Sequence, residues 1–398
     1  MNTPIQGGIG HPSVRPADPR FSSGPCKKHP GWSPQQLTTQ HLGFSHRAVA
    51  PKARIKSVID RQHQLLGLPD DWRLGLVPAS DTGAFEMAMW SMLGPRPVDA
   101  LLWESFSSDW ASDIKTQLKL DDVNYLQAAY GDLPDLNEVR SDSDVVFVYN
   151  GTTSGTRVPN LDWLGKDREG LALCDATSAA FAMPLDYSKL DVITWSFQKV
   201  MGGEAGFGML ALSPKAVARL ESYTPDRPLP KVFRLTKNGK INEGIFKGAT
   251  INTPSMIAVE DMHMALDWAE EIGGLQALFG RCNANFEALN SWVTQRDWID
   301  WLPSEVATRS NTSMCLKITH PEFAKLDDDA QRAAVKTLVG WLAEENVAYD
   351  INAYRAAPPG LRIWGGATVD AADITAMLPW LDWAFTRWIN ENTKGNNS

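Results

Sequence analysis

The chain has 398 residues, of which 43% are hydrophobic and 21% are charged. This length and composition are typical of a folded protein with more than one core and exclude a disordered or fibrous chain. A net charge of −9 argues against a nucleic acid or an anionic membrane as the main partner.

The N-terminal segment and the cysteines indicate a cytoplasmic protein. Residues 1–20 lack the apolar run of a secretory signal or anchor, and no stretch reaches the roughly 18 apolar residues that span a membrane. The four cysteines lie far apart and form no zinc-binding spacing: Cys26, Cys174, Cys282 and Cys315. We therefore expect buried free thiols, a reducing compartment and no metal site.

A strand, a polar turn and a helix follow one another near residue 80. Residues 55–66 carry apolar side chains at helical spacing up to Gly67, and residues 73–78 then predict a strand. The turn Ser80-Asp81-Thr82-Gly83 leads into a predicted helix over residues 84–93. Free N–H groups at such a helix start can bind a phosphate, although Ser and Asp in this position also serve as plain N-caps.

The middle of the chain predicts an α/β domain. Five short runs are apolar on both faces, as in buried parallel strands: residues 98–103, 145–149, 171–174, 192–195 and 208–212. Helix-length segments separate several of them, and Ser213-Pro214 is typical of a further helix start. Polar segments after three of these strands, residues 150–155, 175–177 and 196–199, should meet at the carboxyl edge of the sheet.

The last third of the chain predicts a smaller α+β unit. Two long helices are expected over residues 254–273 and 275–295. Strand-like segments at residues 314–318, 347–351 and 361–363 then alternate with helices over residues 331–344 and 374–389. We therefore divide the chain into an N-terminal arm of residues 1–40 that contributes to the active site, a large domain of residues 41–280 and a small domain of residues 281–398.

Asp175 and Lys199 form the strongest chemical pattern. Each follows a predicted strand, so both should lie at one edge of the sheet. A carboxylate opposite a heteroaromatic nitrogen keeps it protonated, and a desolvated lysine can form an imine with a carbonyl, which together describe a pyridoxal phosphate site. Taken singly, an Asp at a strand end is usually a turn or cap residue, and a Lys is usually solvated.

At these residues the chain resembles the phosphoserine aminotransferase family, a group of class V, fold-type I pyridoxal phosphate-dependent aminotransferases. The resemblance runs nearly end to end and depends on the order of a set of motifs: Phe21-Ser22-Ser23-Gly24-Pro25, Ser45-His46-Arg47, Trp110, Asn150-Gly151-Thr152, Asp175, Ser196-Phe197-Gln198-Lys199, Asn252-Thr253-Pro254 and Leu361-Arg362. It implies a large α/β domain with a mainly parallel sheet and a smaller α+β C-terminal domain.

The resemblance implies a role for each cofactor-binding residue. Lys199 would hold pyridoxal 5'-phosphate as an imine and move protons, while Asp175 would pair with the ring nitrogen. Trp110 would stack on the ring, and Thr152 would bond its phenolic oxygen. The remaining residues would bind the cofactor phosphate: the Asp81-Thr82 backbone, Thr177, Gln198, and Asn252 with Thr253 from the partner subunit of an obligatory homodimer.

The resemblance also implies how substrates bind. Arg362 would pair with the α-carboxylate, and Ser23, with His46 and Arg47 from the partner subunit, would line the pocket. The implied reaction exchanges an amino group between glutamate and 3-phosphohydroxypyruvate, giving phosphoserine and 2-oxoglutarate in L-serine biosynthesis, with pyridoxine biosynthesis as a second role to be tested. Neither a nucleic acid nor a membrane is expected as a partner.

One departure from the family leaves alternatives open. Many bacterial members carry an arginine for the substrate phosphate where this chain has Thr82, and Lys27, Lys28, Arg157 or Arg355 are the candidates to replace it. Serine–glyoxylate or alanine–glyoxylate transamination would keep Asp175 and Lys199 without a phosphate pocket. The third possibility is a non-catalytic regulator that only binds the cofactor. It is disfavoured because the chain keeps Lys199, Asp175 and Arg362 together.

Overall fold

A seven-stranded sheet forms the centre of the larger part of the molecule in the computed structural model, which describes residues 10–393. Its strands are β1 (Arg73–Pro78), β2 (Val98–Leu102), β3 (Val123–Gln127), β4 (Asp144–Val148), β5 (Ala172–Asp175), β6 (Val192–Ser196) and β7 (Phe207–Leu212). They lie in the order β1-β7-β6-β5-β4-β2-β3. Strands β4 to β7 are buried along their whole length, because the sheet is covered on both faces, as their unbroken apolar sequences predicted.

The sheet is parallel from β3 to β6 and antiparallel at its other edge. β7 pairs antiparallel with both β6 and β1, so the prediction of a parallel strand at residues 208–212 is wrong in direction. The apolar sequence of a buried strand does not encode its direction, whereas the short connection from Ser196 to Phe207 leaves no room for a crossover helix. β3 was not predicted because only Leu126 of its five residues is buried.

Helices surround this sheet and connect its strands. They are α1 (Val49–Leu66), α2 (Ser80–Met92), α3 (Ser105–Asp113), α4 (Pro214–Ser222), α5 (Met256–Glu271) and α6 (Gly274–Val293). α1 ends at Gly67, whose left-handed φ of 65° accommodates the turn, and α4 begins after the N-cap Ser213, both as predicted. A two-stranded ribbon of β8 (Thr236–Lys237) and β9 (Lys240–Ile241) lies between α4 and α5.

The C-terminal part is built on a second, antiparallel sheet. Strands β10 (Ile299–Trp301), β11 (Ser313–Ile318) and β12 (Gly360–Trp364) pair in that order and pack with α7 (Pro321–Ala324), α8 (Asp328–Glu344) and α9 (Ala371–Thr393). The predicted strand at residues 347–351 is wrong, since only an isolated bridge from Tyr349 to Arg20 forms there. The domain boundary predicted near residue 280 falls within the continuous helix α6.

The N-terminal arm lies against the small sheet and reaches the edge of the large one. Phe21 is fully buried, and its carbonyl accepts a hydrogen bond from Trp364 N at 3.2 Å. Cys26 N donates to Gln198 O at 2.9 Å, so the arm touches the segment that follows β6. Residues 1–9 of the predicted arm and residues 394–398 of the predicted small domain lie outside the described residues.

Within residues 10–393, none of the helices is both long enough and apolar enough to cross a bilayer. The mixed α/β architecture with a mostly parallel central sheet confirms the predicted fold class.

Candidate active site

A pocket with about 520 Å³ of empty space opens at the carboxyl edge of the central sheet. It contains Lys199 and Asp175 together with most of the predicted cofactor-binding residues. The lining is Ser80, Asp81, Thr82, Glu104, Phe106, Trp110, Val148, Asn150, Thr152, Asp175, Thr177, Ser196, Gln198 and Lys199. The strand-end rule therefore brings together three polar segments that are far apart in sequence.

Lys199 lies three residues beyond the end of β6, where the N-terminal arm covers it. Its Nζ donates a hydrogen bond to the carbonyl oxygen of Ser23 at 2.6 Å. A Cβ at the next residue, Gly24, would lie 2.5 Å from Lys199 Nζ, so a side chain there would displace the amine. Burial lowers the pKa of the Lys199 ammonium, and the nearby Arg362 guanidinium lowers it further. A lysine with a lowered pKa is more readily the free amine that attacks a carbonyl.

Asp175 is the last residue of β5, and its carboxylate is held on both oxygens. Thr177 N donates to Oδ1 at 2.9 Å, and Trp110 Nε1 donates to Oδ2 at 3.1 Å. The Asp81 carboxyl is also buried beside it, and burial together with the Asp175 charge raises the pKa of Asp81 well above its usual value. The raised pKa favours the protonated form of Asp81 at this end of the pocket.

The first turn of α2 presents unpaired amide groups to the pocket. Ala79 and Ser80 have φ values of 67° and 60°, and they direct the chain from β1 into the helix. The N–H groups of Asp81 and Thr82 have no acceptor among residues 10–393. Gln198 Nε2 donates to Ser80 Oγ, while Gln198 Oε1 is buried without a partner. This is the arrangement in which helix N-termini bind phosphate.

Thr152 lies in the turn after β4, on another side of the pocket. Its hydroxyl donates to Ser178 Oγ at 2.9 Å, and Ser178 Oγ donates in turn to the carbonyl oxygen of Asn150. These bonds hold the turn rigid while leaving the lone pairs of Thr152 Oγ1 available toward the pocket.

Arg362 lies on β12, near Lys199 but in the small sheet. Its guanidinium stands 5.6 Å from the centre of the Tyr354 ring, and its Nε is buried without a hydrogen-bond partner. No carboxylate within the described part of the chain forms an ion pair with it. An arginine left unpaired beside a pocket is suited to a carboxylate that arrives with a ligand.

Ser23 and Arg362 lie near Lys199 without lining the pocket of this subunit, and four further predicted residues do not line it either. His46 is buried, with its Nε2 unpartnered, whereas Arg47, Asn252 and Thr253 are exposed on the surface. The sequence assigned all four to the pocket of a partner subunit, and a single chain leaves that assignment a prediction.

The four candidates to replace the missing loop arginine differ in their partners and in their distance from Arg362. Lys27 is buried against Asp18 and Asp373, and Lys28 pairs with Glu204 and Asp261. The Arg157 Nε donates to the carbonyl of Arg309 in a groove away from this pocket. Arg355 alone of the four is close to Arg362, because both guanidinium groups stand 5.6 Å from the Tyr354 ring.

Pyridoxal phosphate fits the chemistry of these residues. Polar atoms buried in the pocket without a protein partner include Asp81 Oδ1, Thr177 Oγ1, Ser196 Oγ and Gln198 Oε1. Such atoms cost free energy unless a ligand or water satisfies them. Together with Lys199, Asp175 and the open first turn of α2, they supply an amine, a carboxylate and a phosphate cradle at one pocket.

Sequence reasoning missed Glu104, which lines the pocket, and Ser178, which holds the Thr152 hydroxyl. Glu104 lies two residues beyond the end of β2, at the same edge of the sheet as Asp175 and Lys199. The rule that identified those two residues could therefore have identified Glu104 as well.

Comparisons with known proteins agree with this arrangement. The class-V aminotransferase family profile matches residues 116–335. A phosphoserine aminotransferase from Methanosarcina barkeri is 54% identical over 374 residues, which cover 94% of this chain and 98% of that protein.

Two solved structures share the fold. A phosphoserine aminotransferase from Cytophaga hutchinsonii superposes with a TM-score of 0.77 at 17% identity, covering 92% of this chain and 98% of that one. A phosphoserine aminotransferase from Trichomonas vaginalis with pyridoxal phosphate bound gives a TM-score of 0.70 at 17% identity, covering 93% and 100%. At these identities the two structures establish the fold alone, whereas the Methanosarcina protein is similar enough to establish the family.

Proposed function

Since the chain belongs to the phosphoserine aminotransferase family of the class-V aminotransferases, we propose that its pocket exchanges an amino group between glutamate and 3-phosphohydroxypyruvate, giving O-phospho-L-serine and 2-oxoglutarate. The reaction is a pyridoxal phosphate-dependent transamination and belongs to L-serine biosynthesis. The observation that carries this proposal is the meeting of Lys199 and Asp175 in one pocket.

The residues around the ring divide the chemistry between them. When bound, pyridoxal phosphate supplies an aldehyde for the amino group and a ring that withdraws electrons from the substrate Cα. Lys199 would hold the cofactor through its amine and would move a proton at the substrate Cα, for which its lowered pKa suits it. Asp175 would pair with the ring nitrogen, and Trp110 and Thr152 would orient the ring.

The cofactor phosphate would lie at the start of α2. The free N–H groups of Asp81 and Thr82 point to this place, and the helix dipole favours an anion there. Gln198 and Thr177 have buried side-chain oxygens without partners, and Gln198 can turn its amide toward the phosphate. Asn252 and Thr253 would complete the cradle from the partner subunit.

Two arginines of the same subunit are available for the two anionic groups of phosphoserine. Arg362, half-buried and near Lys199, takes the α-carboxylate, which phosphoserine and glutamate share. Arg355 is exposed and has no ion pair among residues 10–393, so it is free to contact the phosphate. Tyr354 makes a cation–π contact with each of the two guanidinium groups, at 5.6 Å from its ring centre. Ser23 and the partner subunit's His46 and Arg47 would line the rest of the pocket.

A homodimer accounts for an exposed apolar surface on this chain. Phe44 and Val49 are 68% and 90% exposed on either side of His46 and Arg47, and Ile257 on α5 is 50% exposed. Arg61 on α1 pairs with Asp267 on α5 at 2.7 Å. Arg54 pairs with Glu260, and both of these residues lie about two turns earlier on their helices. The helices therefore run parallel, which places Val49 and Ile257 at the same end. A second copy covering this end would bury the apolar side chains and receive Arg47.

The cytoplasm is the compartment that we propose for this enzyme. All four cysteines are buried and free, and burial raises the pKa of Cys26, Cys282 and Cys315 to about 12. Such thiols need no oxidising compartment for the fold to form.

Chemical trapping and half-reactions test this function together. Borohydride should fix a pyridoxyl group on the peptide that contains Lys199, and phosphoserine should convert the cofactor absorbance faster than serine or alanine does. Label on another lysine would contradict the site. Faster conversion by serine or alanine would instead indicate a class-V transamination of unphosphorylated substrates, and no conversion by any amino acid would indicate a non-catalytic binder.

A further inference from the structure

Glu104 is a buried acid in the pocket with no role in the function proposed above. Its side chain is 1% exposed, and it forms the N-cap of α3, the helix that carries Trp110. Ser107 N donates to Glu104 Oε1 at 2.8 Å, while the Ser107 hydroxyl accepts from Glu104 N at 3.2 Å. This reciprocal pair fixes the first turn of α3.

The other oxygen of Glu104 holds a different element. Oε2 accepts from the Thr153 hydroxyl at 2.6 Å and from Thr153 N at 3.2 Å. Thr153 is 1% exposed and follows Thr152 in the turn after β4. Gly151, in the same turn, packs so closely that a Cβ there would lie 2.8 Å from Glu104 Cγ.

One carboxylate thus joins the helix that carries Trp110 to the turn that carries Thr152. We propose that Glu104 is a positioning residue that fixes the ring-stacking Trp110 and the ring-binding Thr152 relative to each other. This inference rests on the proposed function, because it concerns the two residues assigned to the face and to the edge of the cofactor ring. A single side chain then fixes the face contact relative to the edge contact.

The surroundings of Glu104 make a plain cap an inadequate explanation. An N-cap needs only one acceptor, which serine supplies at other helices of the fold. Glu104 has a second oxygen, which accepts hydrogen bonds from the turn after β4. Burial raises the pKa of Glu104 to about 7, the Asp175 charge adds to this, and the hydrogen bonds from Thr153 and Ser107 oppose it. The Cys315 thiol is also close to Glu104, whose charge contributes to the raised pKa of that thiol. Burying an acid costs free energy, and the hydrogen bonds of Glu104 to both α3 and the turn offset that cost.

A matched set of variants separates positioning from capping. Glu104→Gln keeps the size of the side chain and an acceptor for Ser107 N but cannot accept from both Thr153 groups. Thr153→Val removes the shorter of the two bonds, the one from the hydroxyl, and keeps the backbone N–H bond, and Thr153→Ser restores the hydroxyl. Ser213→Ala is the control, because Ser213 caps α4, also nine residues long, by accepting from Ala216 N at 3.1 Å away from the pocket.

The measurements are the dissociation constant of pyridoxal phosphate for the resolved apoenzyme, the visible circular dichroism of the bound cofactor, and urea unfolding. We expect Glu104→Gln and Thr153→Val to weaken cofactor binding at least about tenfold and to change the dichroism. Thr153→Ser and Ser213→Ala should stay within about twofold of wild type in binding, although Ser213→Ala lowers the unfolding midpoint.

The outcomes distinguish this inference from the proposed function. If wild type binds the cofactor but Glu104→Gln and Thr153→Val bind it as tightly, Glu104 is only a cap and the inference is wrong. If Glu104→Gln alone weakens binding, the link to the turn is wrong. If the wild-type apoenzyme does not bind pyridoxal phosphate at all, the proposed function fails and the inference fails with it. Should Glu104→Gln not fold, the Thr153→Val and Thr153→Ser pair decides.

Discussion

Arg362 illustrates how a single residue can serve two substrates. Its guanidinium lies near Lys199 and has no carboxylate partner within residues 10–393, while the Tyr354 ring supports one side of it. Phosphoserine and glutamate both carry an α-carboxylate, and their side chains differ. A group that contacts only the shared carboxylate should therefore affect both half-reactions equally.

We predict that Arg362→Ala lowers kcat/KM for phosphoserine and glutamate alike. A charge-assisted contact contributes about 1.5–3 kcal/mol, which corresponds to roughly ten- to a hundredfold in rate. Arg362→Lys should recover only part of this, because an ammonium cannot form the planar two-point contact. Stopped-flow half-reactions measure both values, with the exposed Arg387→Ala as a control. A loss confined to one of the two substrates would contradict the role.

Glu104 also makes a prediction about stability and pH. Its pKa rises from an ordinary 4.5 to about 7 on folding, so the folded protein holds this proton more tightly than the unfolded chain does. Folding is therefore favoured by this group below pH 4.5, and that advantage is lost as the pH rises toward 7. At about 1.4 kcal/mol for each pH unit between the two values, the loss amounts to about 3 kcal/mol.

We predict that Glu104→Gln removes this dependence. The free energy of unfolding of wild type minus that of the variant, measured in urea on the cofactor-free protein, should fall by up to about 3 kcal/mol between pH 4.5 and pH 8. Asp81 has its pKa raised in the same direction, but it is present in both proteins and cancels in the difference. A constant difference across this range would show that Glu104 titrates at its ordinary value.

Residues at the site differ in how far the sequence could identify them. Asp175 and Lys199 were predicted because each follows a run of apolar residues that the sheet buries, and strand ends meet at one edge. The side chain of Asp81 was not expected in the pocket, because the first turn of α2 was read only for its backbone. The bend at Ala79 and Ser80, both at positive φ, turns that carboxyl toward Asp175, and such a bend is not encoded in residue type.

At the scale of elements, the arm depends on one buried carboxylate. Asp373 on α9 is 4% exposed and accepts hydrogen bonds from Ala17 N at 2.8 Å and Asp18 N at 3.3 Å. Its other oxygen pairs with Lys27 at 3.2 Å. Asp373 therefore fastens both ends of the segment that places Ser23 on Lys199.

We predict that Asp373→Ala loosens the arm as a unit. The change removes these bonds and leaves the buried Lys27 with Asp18 alone, so the free energy of unfolding should fall by about 3 kcal/mol. Limited proteolysis should cut the arm faster, and KM for phosphoserine should rise because Ser23 is no longer held. Asp370→Ala is the control, since Asp370 pairs with Arg281 at the surface, where such pairs contribute about 1 kcal/mol or less. Equal proteolysis of both variants would contradict the anchoring role.

Elements were predictable where burial was complete and ambiguous elsewhere. The buried strands β4 to β6 and the capped helix α4 follow directly from apolar runs and from Ser213-Pro214. Strand β3 was not predicted because most of its side chains are only partly buried at the edge of the sheet. The direction of β7 was predicted wrongly because strand direction depends on the connection before it. Residues 347–351 are mostly apolar, as in a short strand, but the arm forms only one bridge with them.

At the scale of the whole molecule, the surface around Arg47 is unusual for a subunit that acts alone. Phe44 and Val49 are large, apolar and mostly exposed, and Arg47 between them has no ion pair within the described residues. Exposed apolar patches of this kind mark interfaces more often than free surfaces. Under the proposed homodimer, this surface carries Arg47 into the neighbouring pocket, where the phosphate of the substrate would lie.

A mixed dimer tests whether Arg47 acts on its own pocket or on its neighbour's. Arg47→Ala alone should reduce turnover of phosphoserine far more than any residual turnover of serine, because serine has no phosphate to lose. A purified heterodimer of one Lys199→Ala chain and one Arg47→Ala chain then has a single pocket with Lys199. If Arg47 acts across the interface, that pocket receives an intact arginine from the Lys199→Ala chain, and the heterodimer should recover about half of the wild-type phosphoserine activity per dimer. If Arg47 acts within its own chain, no pocket holds both residues, and the activity should stay at the level of the Arg47→Ala homodimer. An exposed Arg47 that touches no substrate predicts neither result, since its removal would leave the ratio of phosphoserine to serine turnover within about twofold of wild type, as surface changes usually stay within about 0.5 kcal/mol.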